Sequence, residues 1–206
     1  SNTKALEKAM RIYNGKPLVN SVNGSEESMN AVLPLVKKYG CTLIALTLDE
    51  KGIPSTAEGR FEIAERIVKE AEKYGIKLGL HPDDPPVPRL GDVERIMISK
   101  ENIKKAVYGI APSESLGITM CQANYFIMGE DVEEVIRDMA DKIFMVHFRN
   151  TTGEPNPFRE TFHDNGDMDM ARLMRCYADN RVNVPIRVDH VPTMAGENSS
   201  LPGYDV

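Results

Sequence analysis

Four short apolar runs in this chain each stop at a side chain able to bind a metal ion: IKLGL (76–80) at His81, LGITM (116–120) at Cys121, KIFMV (142–146) at His147 and VPIRV (184–188) at Asp189. Two imidazoles, a thiolate and a carboxylate form a donor set of mixed softness, suited to Mn(II), Fe(II) or Zn(II) and poorly suited to Mg(II) or Ca(II). The set alone does not choose among the three. The four residues are separated by 40, 26 and 42 positions, each about the length of one strand-helix unit. Singly, each has an ordinary structural explanation, since a lone cysteine after an apolar run usually just packs. Four at matching positions point together to a metal centre.

Further polar groups crowd the same neighbourhoods: His81-Pro-Asp83-Asp84-Pro-Pro, His147-Phe-Arg149-Asn150, Phe162-His163-Asp164 and Asp189-His190-Val-Pro. Polar groups at this density are costly to bury unless paired or used. Carboxylates and amides commonly orient metal-bound imidazoles, a role open to Asp83, Asp84 and Asn150, as is a plain loop-turn role. Arg149 suits bidentate pairing with a substrate carboxylate, and equally an internal salt bridge with Asp84 or Asp189. On these grounds Arg149 and Asn150 are candidate substrate contacts.

The elements that must position these groups alternate. Helix-period segments, such as EDVEEVIRDMADK (130–142) and MDMARLMRCYADN (168–180), separate six candidate strands. The strands are LVNSV (18–22), CTLIALTL (41–48) and the four runs above. Strands alternating with amphipathic helices signal a parallel α/β architecture. The spacing predicts a helix over 28–39 kinked or delayed by Pro34, then a second helix opened by the capping box Ser55-Thr-Ala-Glu58. On that second helix Phe61, Ala64, Ile67, Val68 and Ala71 form one apolar stripe. Neither GxGxxG nor GxxxxGK[ST] is present, so a dinucleotide fold and a P-loop lack support. Ligands at the C-terminal ends of the strands favour a (β/α) TIM-barrel-like fold, in which such positions share one rim. Six units in 206 residues, against about 250 residues for a typical eight-unit barrel, predict a single domain that is an incomplete or rearranged barrel.

Composition narrows the partners. With 25 Lys+Arg against 31 Asp+Glu the net charge is −6, which argues against nucleic acid or an anionic membrane and for a small molecule. No apolar run reaches the roughly 18 to 20 residues that cross a bilayer, and no signal-peptide pattern opens the chain, so a cytoplasmic protein is expected. Three widely spaced cysteines, Cys41, Cys121 and Cys176, fit neither a disulfide framework nor a zinc ribbon.

The segments HPDDPPVP (81–88), Arg95-Ile96, GITMCQ (117–122), VHFRN (146–150), FRETFHDNGDMDM (158–170), VDHVP (188–192) and Gly203-Tyr204 resemble the mannonate dehydratase family, in order and at family spacing, from about residue 76 to the end. The resemblance implies a (β/α) barrel that removes water from D-mannonate to give 2-keto-3-deoxy-D-gluconate, using Mn(II) or Fe(II). It implies His81, Cys121, His147 and Asp189 as metal ligands, and His190 and Tyr204 as the acid/base pair. The earlier part, about 16–75, resembles instead the pterin-binding barrel of methyltetrahydrofolate-dependent methyltransferases, through KPLVNSVNGSEE (16–27) and the segment 33–68. That family's third strand should supply an aspartate where this chain has His81. The two resemblances together describe a chimera of barrel pieces.

Three readings follow. The first is a metal-dependent sugar-acid dehydratase. The second is an engineered or recombined barrel without catalytic activity, whose open strand edges would pair two copies into a homodimer. The third is a pterin-binding methyltransferase fragment.

Overall fold

The computed structural model describes residues 2–153 and 157–196. The chain divides into two compact units: residues 1–78 with 113–116, and residues 79–112 with those from 117 on.

The first unit holds α1 (Thr3–Ile12), β1 (Leu18–Asn23), α2 (Glu26–Tyr39), β2 (Thr42–Leu46) and α3 (Ala57–Tyr74). β1 and β2 pair in parallel, joined through α2. The core is the meeting of Val19 and Val22 on β1 with Met29, Val32, Leu33 and Val36 on α2 and Ile63, Ile67 and Ala71 on α3. α2 starts earlier than its apolar period suggests, because the Ser25 hydroxyl caps it by accepting from the Ser28 N–H at 3.2 Å. Pro34 does not end it. The proline stands on the exposed face, as does Asn30 one turn before, so the carbonyl that loses its helical partner faces water. Gly40 closes the helix with φ 64°, a conformation that strongly favours glycine.

Two expectations for α3 are corrected. Its N-cap is Thr56 rather than Ser55, the hydroxyl accepting from the Gly59 N–H at 3.1 Å. The buried stripe is Ile63, Ile67 and Ala71, spaced four apart, and Phe61 lies outside it, 42% exposed.

The second unit is built on a four-stranded sheet of β3 (Leu78–Leu80), β6 (Leu116–Cys121), β7 (Ile143–His147) and β10 (Ile186–Arg187), in the order β10-β7-β6-β3. β6 runs parallel to β7, and β7 parallel to β10. Helices α4 (Lys100–Lys104), α5 (Gln122–Ile127), α6 (Val132–Met139) and α7 (Met170–Asp179) accompany the sheet, with a π-helical turn over Lys105–Ile110. Two antiparallel hairpins, β4 (Arg89–Leu90) with β5 (Val93–Glu94) and β8 (Thr151–Gly153) with β9 (Phe158–Glu160), were not foreseen from the sequence. All six predicted runs carry strands.

The strands approach closely because glycines allow it. A Cβ on Gly117 would stand 2.2 Å from the Lys142 carbonyl oxygen and 2.7 Å from the Phe144 ring. One on Gly79 would meet the Thr119 backbone nitrogen at 3.0 Å. These contacts set β6 against its two neighbours and thereby fix where the three strands end.

Candidate metal centre

Parallel pairing brings the strand ends together. Cys121, the last residue of β6, is the register partner of His147, the last residue of β7. His81 follows β3 directly, and Asp189 lies two residues beyond β10. One donor atom each from His81, Cys121 and His147 falls within 4.8 Å of the other two. His81 Nε2 and His147 Nδ1 face each other at 3.1 Å. The fourth predicted ligand adjoins this trio: Asp189 Oδ2 is 3.6 Å from His147 Nδ1 and 4.0 Å from Cys121 Sγ.

The donor set suits a transition metal. Donors sharing one ion through bonds of about 2.0–2.3 Å sit roughly 3–4 Å apart, and the 3.1, 3.6 and 4.0 Å separations of His81 from His147, His147 from Asp189 and Cys121 from Asp189 are of that size. The His81 Nδ1 is 2.6 Å from the Pro82 carbonyl, the kind of contact that fixes an imidazole's tautomer and leaves Nε2 free for the ion. Asp189 takes a left-handed backbone, φ 67°, which aspartate tolerates better than most residues. His163 Nε2 lies 2.8 Å from the carbonyl of Val188, securing the turn that delivers Asp189.

Burial governs the electrostatics. It pushes the Cys121 thiol up to about 12, against the pull of the Arg149 charge and of the Asn124 backbone N–H. Without a metal the sulfur is therefore a thiol at neutral pH, and metal binding must displace its proton. Burial also lowers His147 to about 4, outweighing the attraction of Asp189 for the charged form, so its imidazole is neutral and ready to ligate.

The remaining predicted residues take different places. His190 is adjacent to the cluster, its Nε2 3.7 Å from Asp189 Oδ1, with its side chain 48% exposed. Tyr204 lies outside the described residues. Arg149 and Asn150, expected to touch substrate, are turned inward. The Arg149 side chain is only 2% exposed and salt-bridged to Asp84 and Glu160. Burial works against its charge, but those two carboxylates outweigh it and hold the guanidinium protonated. Of the two internal partners the sequence offered, Asp84 is taken and Asp189 is not. Asn150 exhausts its amide on backbone: Nδ2 donates to the carbonyls of His163 and Met168, and Oδ1 accepts from the N–H groups of Thr151 and Met168. These bonds pin the segment after β9 and leave nothing for a ligand.

Sequence reasoning missed three supporting residues. Glu160 chelates the Arg149 guanidinium, with Nε donating to Oε2 at 2.9 Å and Nη2 to Oε1. Asn124, in the first turn of α5, accepts from Arg149 Nη1 at 3.0 Å and donates to the Asp83 carbonyl. Gln122, fully buried, donates to the Arg149 carbonyl and accepts from the Tyr177 hydroxyl. No local spacing signals Asn124, and Glu160 has no signal beyond lying in a distinctive motif.

Comparison with known proteins shows the family and the fold. The family model for D-mannonate dehydratase (UxuA) matches residues 61–206. The mannonate dehydratase of Brachyspira hyodysenteriae is 37% identical over 142 residues, covering 67% of this chain and 39% of that protein. The crystal structure of mannonate dehydratase from Streptococcus suis serotype 2 superposes with a TM-score of 0.62 at 29% identity, covering 73% of this chain and 45% of that one. A xylose isomerase-like TIM barrel/4-hydroxyphenylpyruvate dioxygenase fusion protein covers 90% of this chain and 32% of its own at TM-score 0.57 and 14% identity, a likeness of fold alone. The architecture is thus α/β and TIM-barrel-like. The chain spans about two fifths of the length of the curated relative it matches. The family match begins inside α3, upstream of the boundary expected near residue 76, and it runs through both compact units. The methyltransferase resemblance of residues 16–75 finds no support in these matches. The chain belongs to the D-mannonate dehydratase family.

Proposed function

We propose that this chain carries the metal centre of a sugar-acid dehydratase, which converts D-mannonate to 2-keto-3-deoxy-D-gluconate. The observation that carries the reading is the gathering of His81, Cys121 and His147 donors within 4.8 Å at adjacent strand ends, with Asp189 beside them. His81, Cys121, His147 and Asp189 would hold Mn(II) or Fe(II), and the donor set also accommodates Zn(II). A bound ion would supply Lewis acidity that makes the C2 proton of a 2-hydroxy acid easier to remove.

The chain's own groups then divide the work. His190, exposed beside Asp189, would accept the C2 proton at a ring nitrogen. Loss of that proton and departure of the C3 hydroxyl as water, with one proton supplied by an acid, leaves an enol that tautomerises to the 2-keto product. Tyr204 is the second member of this acid/base pair by family resemblance. The membership supports a sugar acid as substrate, and the net charge of −6 suits a small ligand drawn in by an ion rather than by a basic surface. Among the described residues no helix is long and apolar enough to cross a membrane.

The test is keto-acid formation from D-mannonate in the presence of Mn(II), for the wild type and for His190→Asn and Cys121→Ser. Metal-dependent product that falls at least ~100-fold in both variants supports the reading. Product that persists without metal, or equally in Cys121→Ser, would overturn it.

A further inference from the structure

Arg149 is the most completely buried charge among the described residues, and its guanidinium has a definite direction. Nε and Nη2 grip the two oxygens of Glu160. This bidentate grip fixes the plane of the fork. The remaining nitrogen, Nη1, has two N–H groups, which meet Asp84 Oδ2 at 2.8 Å and Asn124 Oδ1 at 3.0 Å, and this holds the nitrogen 4.0 Å from Cys121 Sγ. Asp84 comes from the loop after β3, Asn124 from α5 and Glu160 from β9. Three separately folded pieces thus meet on one cation, and the atom that cation faces on the metal side is the sulfur. The sulfur itself is fully buried, so the field of a cation at this distance is poorly screened.

We infer that Arg149 is a positioning residue of the metal centre, whose charge, held at Nη1 4.0 Å from the Cys121 sulfur, weakens that sulfur's electron donation to a bound ion, its own direction being set by Glu160. The inference rests on the metal-centre reading above. Charged and polar groups around a ligating sulfur are a general means by which a protein tunes a metal. The inference also explains why this arginine is not a substrate contact: its fork is fully engaged before any ligand arrives. Lysine could not substitute, because an ammonium carries the charge without the planar fork.

The test is the near-ultraviolet sulfur-to-cobalt charge-transfer band of the Co(II)-loaded full chain, recorded at saturating Co(II). It is read for wild type, Arg149→Lys and Glu160→Gln, with circular dichroism confirming the fold of each. Arg149→Lys keeps the charge but loses the planar fork that holds it 4.0 Å from the sulfur, so the sulfur lone pairs rise in energy and the band moves to lower energy. Glu160→Gln, whose side chain reaches the sulfur only through Arg149, displaces the band without touching a ligand. It serves should the arginine variant not fold. A purely structural staple would lower stability and leave the band of a folded, saturated protein unmoved, and that result in either variant overturns the inference alone. Absence of a thiolate band in the wild type would overturn the metal-centre reading and the inference with it.

Discussion

His81 Nε2 and His147 Nδ1 face each other at 3.1 Å although 66 residues separate them in the chain. His147 stands level with Cys121 across the β6–β7 pair, and His81 extends from β3 on the far side of β6. Three adjacent strands therefore converge two nitrogens and a sulfur without help from any loop longer than one residue. Such convergence on rigid elements is what gives a metal site its precision.

A site assembled this way binds only the folded chain, so a saturating metal raises thermal stability. At a free metal concentration 100 times Kd the gain is about 2.7 kcal/mol, which for a chain of this size corresponds to roughly 5–10 °C in Tm. Thermal unfolding with Mn(II) or Zn(II), against the same protein in chelator, checks this. Equal midpoints would contradict it.

The metal-free protein should lose stability in mild acid. Burial lowers the folded-state value of His147 to about 4, whereas an unfolded histidine titrates near 6.5. Between these values the unfolded chain takes up a proton that the folded chain refuses. Stability is thus unaffected above about pH 6.5 and declines progressively down to about pH 4. Urea midpoints in chelator across this window should fall more steeply for the wild type than for His147→Gln. Parallel slopes would remove His147 as the cause.

Asn150 acts on structure rather than on substrate. The residue is buried, and its four hydrogen bonds to backbone are buried or partly buried. Asn150→Ala strands several of those groups and should cost about 2–4 kcal/mol, seen in chemical denaturation. A variant of normal stability with a raised KM would restore the substrate contact expected from the sequence.

Gly117→Ala tests the strand approach. The added methyl meets backbone at 2.2 Å, where no side-chain rotation relieves it, and overpacking of this kind costs typically 1–3 kcal/mol or more. Gly109→Ala is the control, since its nearest neighbour is the flexible Lys105 side chain at 4.0 Å. Similar denaturation midpoints for the two variants would contradict the described β6–β7 spacing.

Much of this site can be read from the sequence because strand ends are local events: an apolar run stops, and the next residue is the ligand. His81, Cys121 and His147 follow that rule, and the parallel sheet does the rest. The rule fails for what lies between elements. The pairing of Arg149 with Glu160 depends on the β8–β9 hairpin folding back across a gap of 11 residues, and no period or spacing announces it. Asn150 resembles a ligand-binding amide until the backbone groups that consume it are seen. Phe61 was misplaced because α3 buries a narrow stripe four residues apart, and several faces of an apolar-rich helix satisfy the same period. The end of the dehydratase resemblance was set by its most distinctive motifs, whereas the family match continues upstream into α3, where no ligand marks it.

The most direct test of the metal centre is calorimetric titration of Mn(II) and Zn(II) under reducing conditions into the wild type and His147→Ala. One-to-one binding by the wild type, weakened ~100-fold or more in the variant, is the predicted result, because removing one donor breaks a site whose members lie on three different strands. Failure of the wild type to bind, or binding by His147→Ala with unchanged affinity, would contradict it.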